Sequence, residues 1–563
     1  MSQTCSKLLQ LPPEVLLHTL AFTSPRDCAR LATLNRLLSV LCSTWTLHRD
    51  LLAQLADSPT SSAAEFPYQA ICRRLVQVTA ALDKMERGLP PPPDAELVPL
   101  LETLVYLAAT RPVASVTSAN ETLLEKYLSP TSATIVSLHP TFSTCRQPRL
   151  RPRKCPDVVV SELVSRLHVL STPSLVALGS PGVRTAAREI VYERLNFTRA
   201  SGYGPLKSDG TGSVDYRKLE AISVVMSSNL DEAKTMGWGQ EGGADEDETA
   251  VPSGWSSTRT GSATVETIEG QATDPRDWAG VTTHEWRGTY AFLHYPVYHS
   301  FNAHRTSTYV PSLADESEAV GDCMSLKLEL LPEGEEVSPP MEAFGTTLAP
   351  NRNGPRGGGG TSDDDDDSDF DGDDDLDEDD TSAASASSDE DDVNTHFVTN
   401  RSHPRRQSPP TSPPDDTLPG PSVPPLLGPL PPPSASTSSE PFLATSTTPS
   451  PTAFPKLAFH GTSMPLQLRT LAFTGTFVNS QSHFNIRDRS IRGTVEMNAQ
   501  GEIIWKYLIR YGGVDHWAMT GVQVGGPKSK FGVLGSWSCA DRDAADDEGP
   551  NGPFWYWPNT TDA

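Results

Sequence analysis

The sequence predicts an α+β protein: N-terminal helices and a helical connector, then a C-terminal antiparallel β-barrel-like domain interrupted by a long disordered insertion. Three observations carry this. Between Leu8 and Leu41 apolar residues recur at steps of three and four, the period of a helix face. Between Ile491 and Tyr511 apolar residues alternate with others, as half-buried strands require. The stretch 335–455 is acidic, then rich in Ser, Thr and Pro, with too few large apolar side chains to offset the entropy of ordering it.

Taken in order, Leu8 to Phe22 reads as a short apolar helix, because a proline two residues before Val15 suits a helix start, where its missing N–H costs nothing. Ser24-Pro25-Arg26-Asp27 is a turn, with an acid near the positive end of the next helix. Leu31, Leu34, Leu38 and Leu41 then lie along one helix, and a capping helix carries Trp45. These elements form a first unit, residues 1–52.

A connector, 53–235, follows, with helices expected at Phe66 to Gly88, Glu96 to Ala109, Glu121 to Leu128, Asp157 to Leu170, Ala186 to Phe197 and Arg217 to Asn229. They share no fixed period, which disfavours leucine-rich, WD and kelch arrays. The basic run Arg146 to Lys154 reads as a solvated loop, with an import or anion-binding patch as its alternative. A polar loop spans 236–276.

The β-rich domain is expected over 277–334 and 456–560. Met324 to Leu330 alternates as a strand. Ile491 to Met497, a turn at Asn498 to Gly501 and Glu502 to Tyr511 form a hairpin, and short Gly-separated strands follow to Trp537. Closing the intervening loop costs about 4 kcal/mol, and lengthening a loop adds little, so one barrel tolerates the insertion.

Composition narrows the function. The 563 residues carry a formal charge of −26, but 363–392 alone holds eighteen acidic and no basic residues, leaving 53 acidic against 45 basic elsewhere. That balance gives no nucleic-acid surface. The 8 cysteines show no C-x-x-C pair and read as reduced, buried thiols of an intracellular protein in the cytoplasm, the nucleus or both. No apolar run reaches the length of a membrane span, and the N-terminus lacks a signal-peptide pattern, so no membrane partner is expected.

The first unit resembles a known module. Leu11-Pro12 with Glu14, Val15 and Leu16, then Pro25, Asp27, Arg30-Leu31-Ala32 and Arg36, are similar to the F-box, which docks substrate receptors onto the linker subunit of a cullin–RING ubiquitin ligase. The C-terminal motifs Tyr203-Gly204-Pro205, Asp277 to Val281, Arg492 to Val495, Gly521 to Gly526, Gly532 to Trp537 and Gly549 to Trp555 resemble a group of F-box-only proteins widespread in fungi. The Trp286-x-Gly288-Thr289-Tyr290 opening and the Gly-rich meander are also similar to lipocalin-like barrels. The first resemblance implies a Skp-type linker protein and a cullin–RING ligase as partners, with Leu11-Pro12 packing on the linker.

Leu11, Pro12, Val15, Leu16 and Leu20, with Leu31 and Leu34 on the facing helix, are therefore the expected linker-binding residues. Each buried apolar side chain of this kind is worth roughly 1.5–3 kcal/mol. Some must instead seal the hairpin's own core, and Leu31 and Leu34 are the residues expected to do so. Trp286, Tyr290, Trp505, Tyr507, Trp517 and Trp537, with Trp555 and Trp557, read as barrel core, with those at strand ends forming a substrate surface. His284, His294, His299 and His304 have no metal-ligand spacing, and no metal or other cofactor is expected. Ser362, Ser368, Ser387 and Ser388 precede acidic residues, and Ser408 and Ser412 precede prolines; these are phosphorylation candidates, against a plain solubilising tail.

No catalytic signature appears, so the expectation is a non-catalytic substrate receptor of an SCF-type (Skp–cullin–F-box) ligase that binds an unidentified target protein. A small-molecule-binding barrel with an F-box tether and a ligase-independent scaffold are the alternatives.

Overall fold

The structure, a computed structural model, describes residues 7–57, 68–109, 118–128, 158–170, 181–235, 276–282, 285–303, 312–314, 316–321, 323–333, 335, 470–479, 489–527, 529, 531–540 and 549–559. The basic run and nearly all of the expected polar loop and insertion lie outside these residues. The architecture is α+β: helices lead into an eight-strand antiparallel barrel, closed among the described residues.

The chain begins with α1 (Pro13–Ala21), α2 (Pro25–Leu34), α3 (Arg36–Cys42) and α4 (Trp45–Leu55). Prolines open the first two, and the Ser24 hydroxyl accepts from the Asp27 N–H as the α2 cap. The expected single helix through Leu31, Leu34, Leu38 and Leu41 is corrected here. The chain breaks at Asn35, whose extended backbone ends α2 and whose side chain accepts from the Leu37 N–H to start α3. The break re-aims the leucines. Leu38 and Leu41 are buried and Leu31 packs half-buried on the core, whereas Leu34 is 74% exposed and seals nothing.

The connector helices are α5 (Tyr68–Glu86), α6 (Asp94–Ala109), α7 (Ala119–Leu128), α8 (Val158–Leu170), α9 (Pro181–Val191) and α10 (Tyr216–Thr235). The strands are β1 (Glu285–Leu293), β2 (Glu318–Val320), β3 (Met324–Leu330), β4 (Thr470–Asn479), β5 (Arg489–Met497), β6 (Ile503–Tyr511), β7 (Val514–Gln523), β8 (Val533–Cys539) and β9 (Asn551–Asn559), with α11 (Tyr295–Ala303) after β1. β1, then β3 to β9, pair in sequence order, β9 closes on β1, and β2 adds to the upper part of β1.

Helices and barrel share one core. Ile504, Val522, Leu534, Trp555 and Trp557 point out of the barrel into the apolar layer made by Leu219, Ile222, Val225 and Met226 of α10 with the other connector helices. Trp555 and Trp557 are therefore not barrel filling. Polar clasps fix the same contact. Glu502, at the start of β6, accepts from the Val214 N–H and the Tyr216 hydroxyl at 3.0 and 2.9 Å. Thr520 donates to the Gly202 carbonyl, and any side chain at Gly204 would strike Thr520 at 2.2 Å. Arg188 of α9 donates to Glu318 of β2 at 2.9 Å and to the Leu313 and Glu316 carbonyls. Inside the helices, Glu220 accepts from Ser165 at 2.6 Å and meets His168 Nδ1 at 2.5 Å, all fully buried.

Candidate functional site

The first region of interest is the N-terminal helical unit, which has its own core of Leu16, Leu20, Cys28, Leu41, Leu47 and Leu51. Leu16 and Leu20 therefore brace α1 and cannot themselves meet a partner; this corrects their expected role. The reason is geometric: on α1 Leu16 and Leu20, four apart, share the buried face, whereas Val15 lies about 100° around from Leu16, and Leu11 and Pro12 precede the helix. Leu11 and Val15 are 40% and 45% exposed and Pro12 is exposed. Phe22, which the motif reading passed over, extends that stripe, edge-on to His18 with ring centroids 5.0 Å apart. On the next helices Leu34, Leu37 and Val40 are also exposed, as is Trp45, over which Arg49 lies. The spacing of Leu11, Val15 and Phe22 could have revealed the stripe; Leu37 and Val40 needed the break at Asn35.

The unit is bound from behind by polar links. Gln54 of α4 donates to the Ala21 carbonyl at the end of α1. Asp57 accepts from Ser118 and from the Ala119 N–H at the start of α7. Cys28, Cys42 and Cys72 are free and buried here. Burial, then the neighbouring Cys28, raises the Cys42 pKa and pushes Cys72 up to about 11, so Cys42 and Cys72 stay protonated and unreactive at neutral pH. Burial also lowers the pKa of the His48 imidazole, outweighing the nearby Cys42 backbone, which raises it.

The second region is the barrel interior. Trp286, Trp505, Tyr507 and Trp537 are buried inside the barrel, as the barrel-core reading expects, and the substrate-surface alternative does not hold for these four. Trp286 and Phe473 lie 4.9 and 5.4 Å from Trp505, and Tyr507 packs on Phe554 and Tyr556. Glycines make room for these rings: a Cβ at Gly535 would sit 2.2 Å from the Thr520 carbonyl and 2.5 Å from the Phe554 ring. A cavity among Trp286, Phe473, Trp505, Tyr507 and Tyr556 measures about 10 Å³, room for about one water. The Tyr507 hydroxyl is buried there with no hydrogen-bond partner among the described residues.

One barrel end is plugged and the other is ringed by aromatics. Asp277 accepts from the Val281 and Thr282 N–H groups and folds 277–282 into a plug whose Trp278, Ala279 and Val281 enter the core, while Trp286 donates to the Val281 carbonyl. At the opposite end Tyr290, Phe292, Tyr511 and Trp517 are half-buried above the buried Phe477 and Trp537, with Trp517 and Trp537 edge-on at 5.1 Å. Of the expected substrate-surface residues, Tyr290 and Trp517 thus stand at a rim.

Ser362, Ser368, Ser387, Ser388, Ser408 and Ser412, together with His284 and His304, lie outside the described residues. Among the described residues no group of three or more His, Cys, Asp or Glu is placed to hold a metal ion, and no helix is long and apolar enough to cross a membrane. No family model matches the chain, and no curated protein or solved structure matches it.

Proposed function

We propose that this chain is the substrate-recognition subunit of an SCF-type ubiquitin ligase, its N-terminal helices docking on the Skp-type linker and its barrel presenting a bound target protein. The observation that carries the reading is the outward apolar stripe of Leu11, Pro12, Val15 and Phe22 on a unit that already has a core. Apolar side chains left outside a completed core are what a docking surface requires, and a few well-packed ones supply most of the binding energy. Trp517, half-buried at the barrel end opposite the plug, belongs to the surface offered to the target. Ubiquitin transfer falls to the partners; the chain's part is to raise the local concentration of the target's lysines near the charged enzyme.

The test is capture of purified linker and cullin by the full chain. Wild type is expected to retain both, and Leu11→Arg to lose both while melting as wild type does, since Leu11 contributes nothing to the core. The reading fails if wild type retains neither, or if Leu11→Arg retains as much. Retention of the linker without cullin favours a ligase-independent scaffold. The filled barrel interior speaks against a small-molecule carrier.

A further inference from the structure

We infer that the linker surface received by α2 and α3 is acidic beside its apolar floor, with Arg26, Arg30 and Arg36 selecting it. This deepens the receptor reading and rests on it. Arg26, Arg30 and Leu34 follow one another at four-residue steps along the exposed face of α2, and Arg36, Leu37 and Val40 are exposed on α3 just beyond the break. Three arginines stand between Pro25 and Cys42 against a single carboxylate, Asp27. That carboxylate is already engaged by the Ser24 hydroxyl at 2.8 Å and by Arg30 at 3.2 Å.

Arg30 also pairs with Asp27 inside α2, but Arg26 and Arg36 are not placed to serve their helices. Arg26 is the second residue of α2 and Arg36 the first of α3, the ends where the helix dipole disfavours a cation. An arrangement that works against its own helix, next to exposed leucine and valine, has a use outside the chain. A local cationic patch lets an acidic partner approach in a fixed orientation. A partner face of carboxylates around an apolar floor meets both features.

The experiment compares wild type with the double variant Arg26→Glu/Arg36→Glu, as full chains, for affinity to purified linker between about 50 and 500 mM salt. Glutamate at these helix starts suits the dipole, so the variant keeps its helices, and its melting curve checks this. Wild-type affinity is expected to fall as salt rises. The variant is expected to bind about tenfold more weakly at low salt and to lose that dependence. Wild-type binding that is indifferent to salt, or a variant that binds as wild type does, overturns the inference and leaves the receptor reading standing. A wild type that binds no linker overturns both.

Discussion

The N-terminal helices and the barrel use similar raw material, leucines and aromatics at regular spacing, and dispose of it in opposite ways. In the barrel the rings turn inward and interdigitate with glycines until almost no space is left. In the first four helices Leu34, Phe22 and Val40 stay outside. The difference is topological. A closed sheet has an inside that every second residue must face, whereas short helices around a small core have more apolar positions than core to receive them. The comparison teaches that apolar periodicity marks a candidate face but does not say which partner covers it.

Substitutions on either side test this contrast. Trp505→Ala, which opens a cavity beside Trp286 and Phe473 and strands Gln523, is expected to cost about 3–5 kcal/mol in urea denaturation. If it costs no more than a surface change, the barrel core is not where stability lies. Gly535→Val should cost about 1–3 kcal/mol by overpacking against Thr520 and Phe554, read as a lower thermal midpoint. Tyr507→Phe should act in the other direction and stabilise by about 1 kcal/mol, because it removes a buried hydroxyl that has no partner among the described residues; destabilisation would point to a water bound in the cavity.

A smaller effect belongs to the helices and to acid. Burial holds the His48 pKa below its ordinary value, so the unfolded chain takes up a proton before the folded one does. Stability from this group is therefore complete above about pH 6.5 and declines as pH falls below it. His48→Gln should flatten that decline in melting curves taken between about pH 6.5 and 5. Leu34→Ser, finally, should change stability by less than about 0.5 kcal/mol. A larger loss would mean that Leu34 is covered within this chain.

Much of the fold was legible. The hairpin of β5 and β6 appeared from alternation and from Asn498, whose side chain accepts from the Gln500 and Glu502 N–H groups and shapes the turn. The connector helices appeared from their apolar faces, except that the one expected at Ala186 to Phe197 runs instead over Pro181–Val191 and is followed by a short 3-10 turn at Arg194–Asn196. β4 escaped, because Leu471, Phe473 and Phe477 alternate with Thr and Gly and follow a Ser/Thr/Pro-rich stretch that reads as loop. β9 was legible only as a motif, since Asn551-Gly552-Pro553 and Pro558 look like punctuation; closure on β1 and β8 holds them in a strand. α11 was missed as well.

Local period and proline's fixed backbone were enough to set the α+β class and the order of helical and β regions. Only the tertiary structure decided which apolar residues are inside. It sent Trp505 inward and Trp555 outward, buried Leu16 and Leu20, and freed Leu34 through the turn at Asn35. Burial is a relation between segments far apart in the chain, and no local pattern contains the other segment.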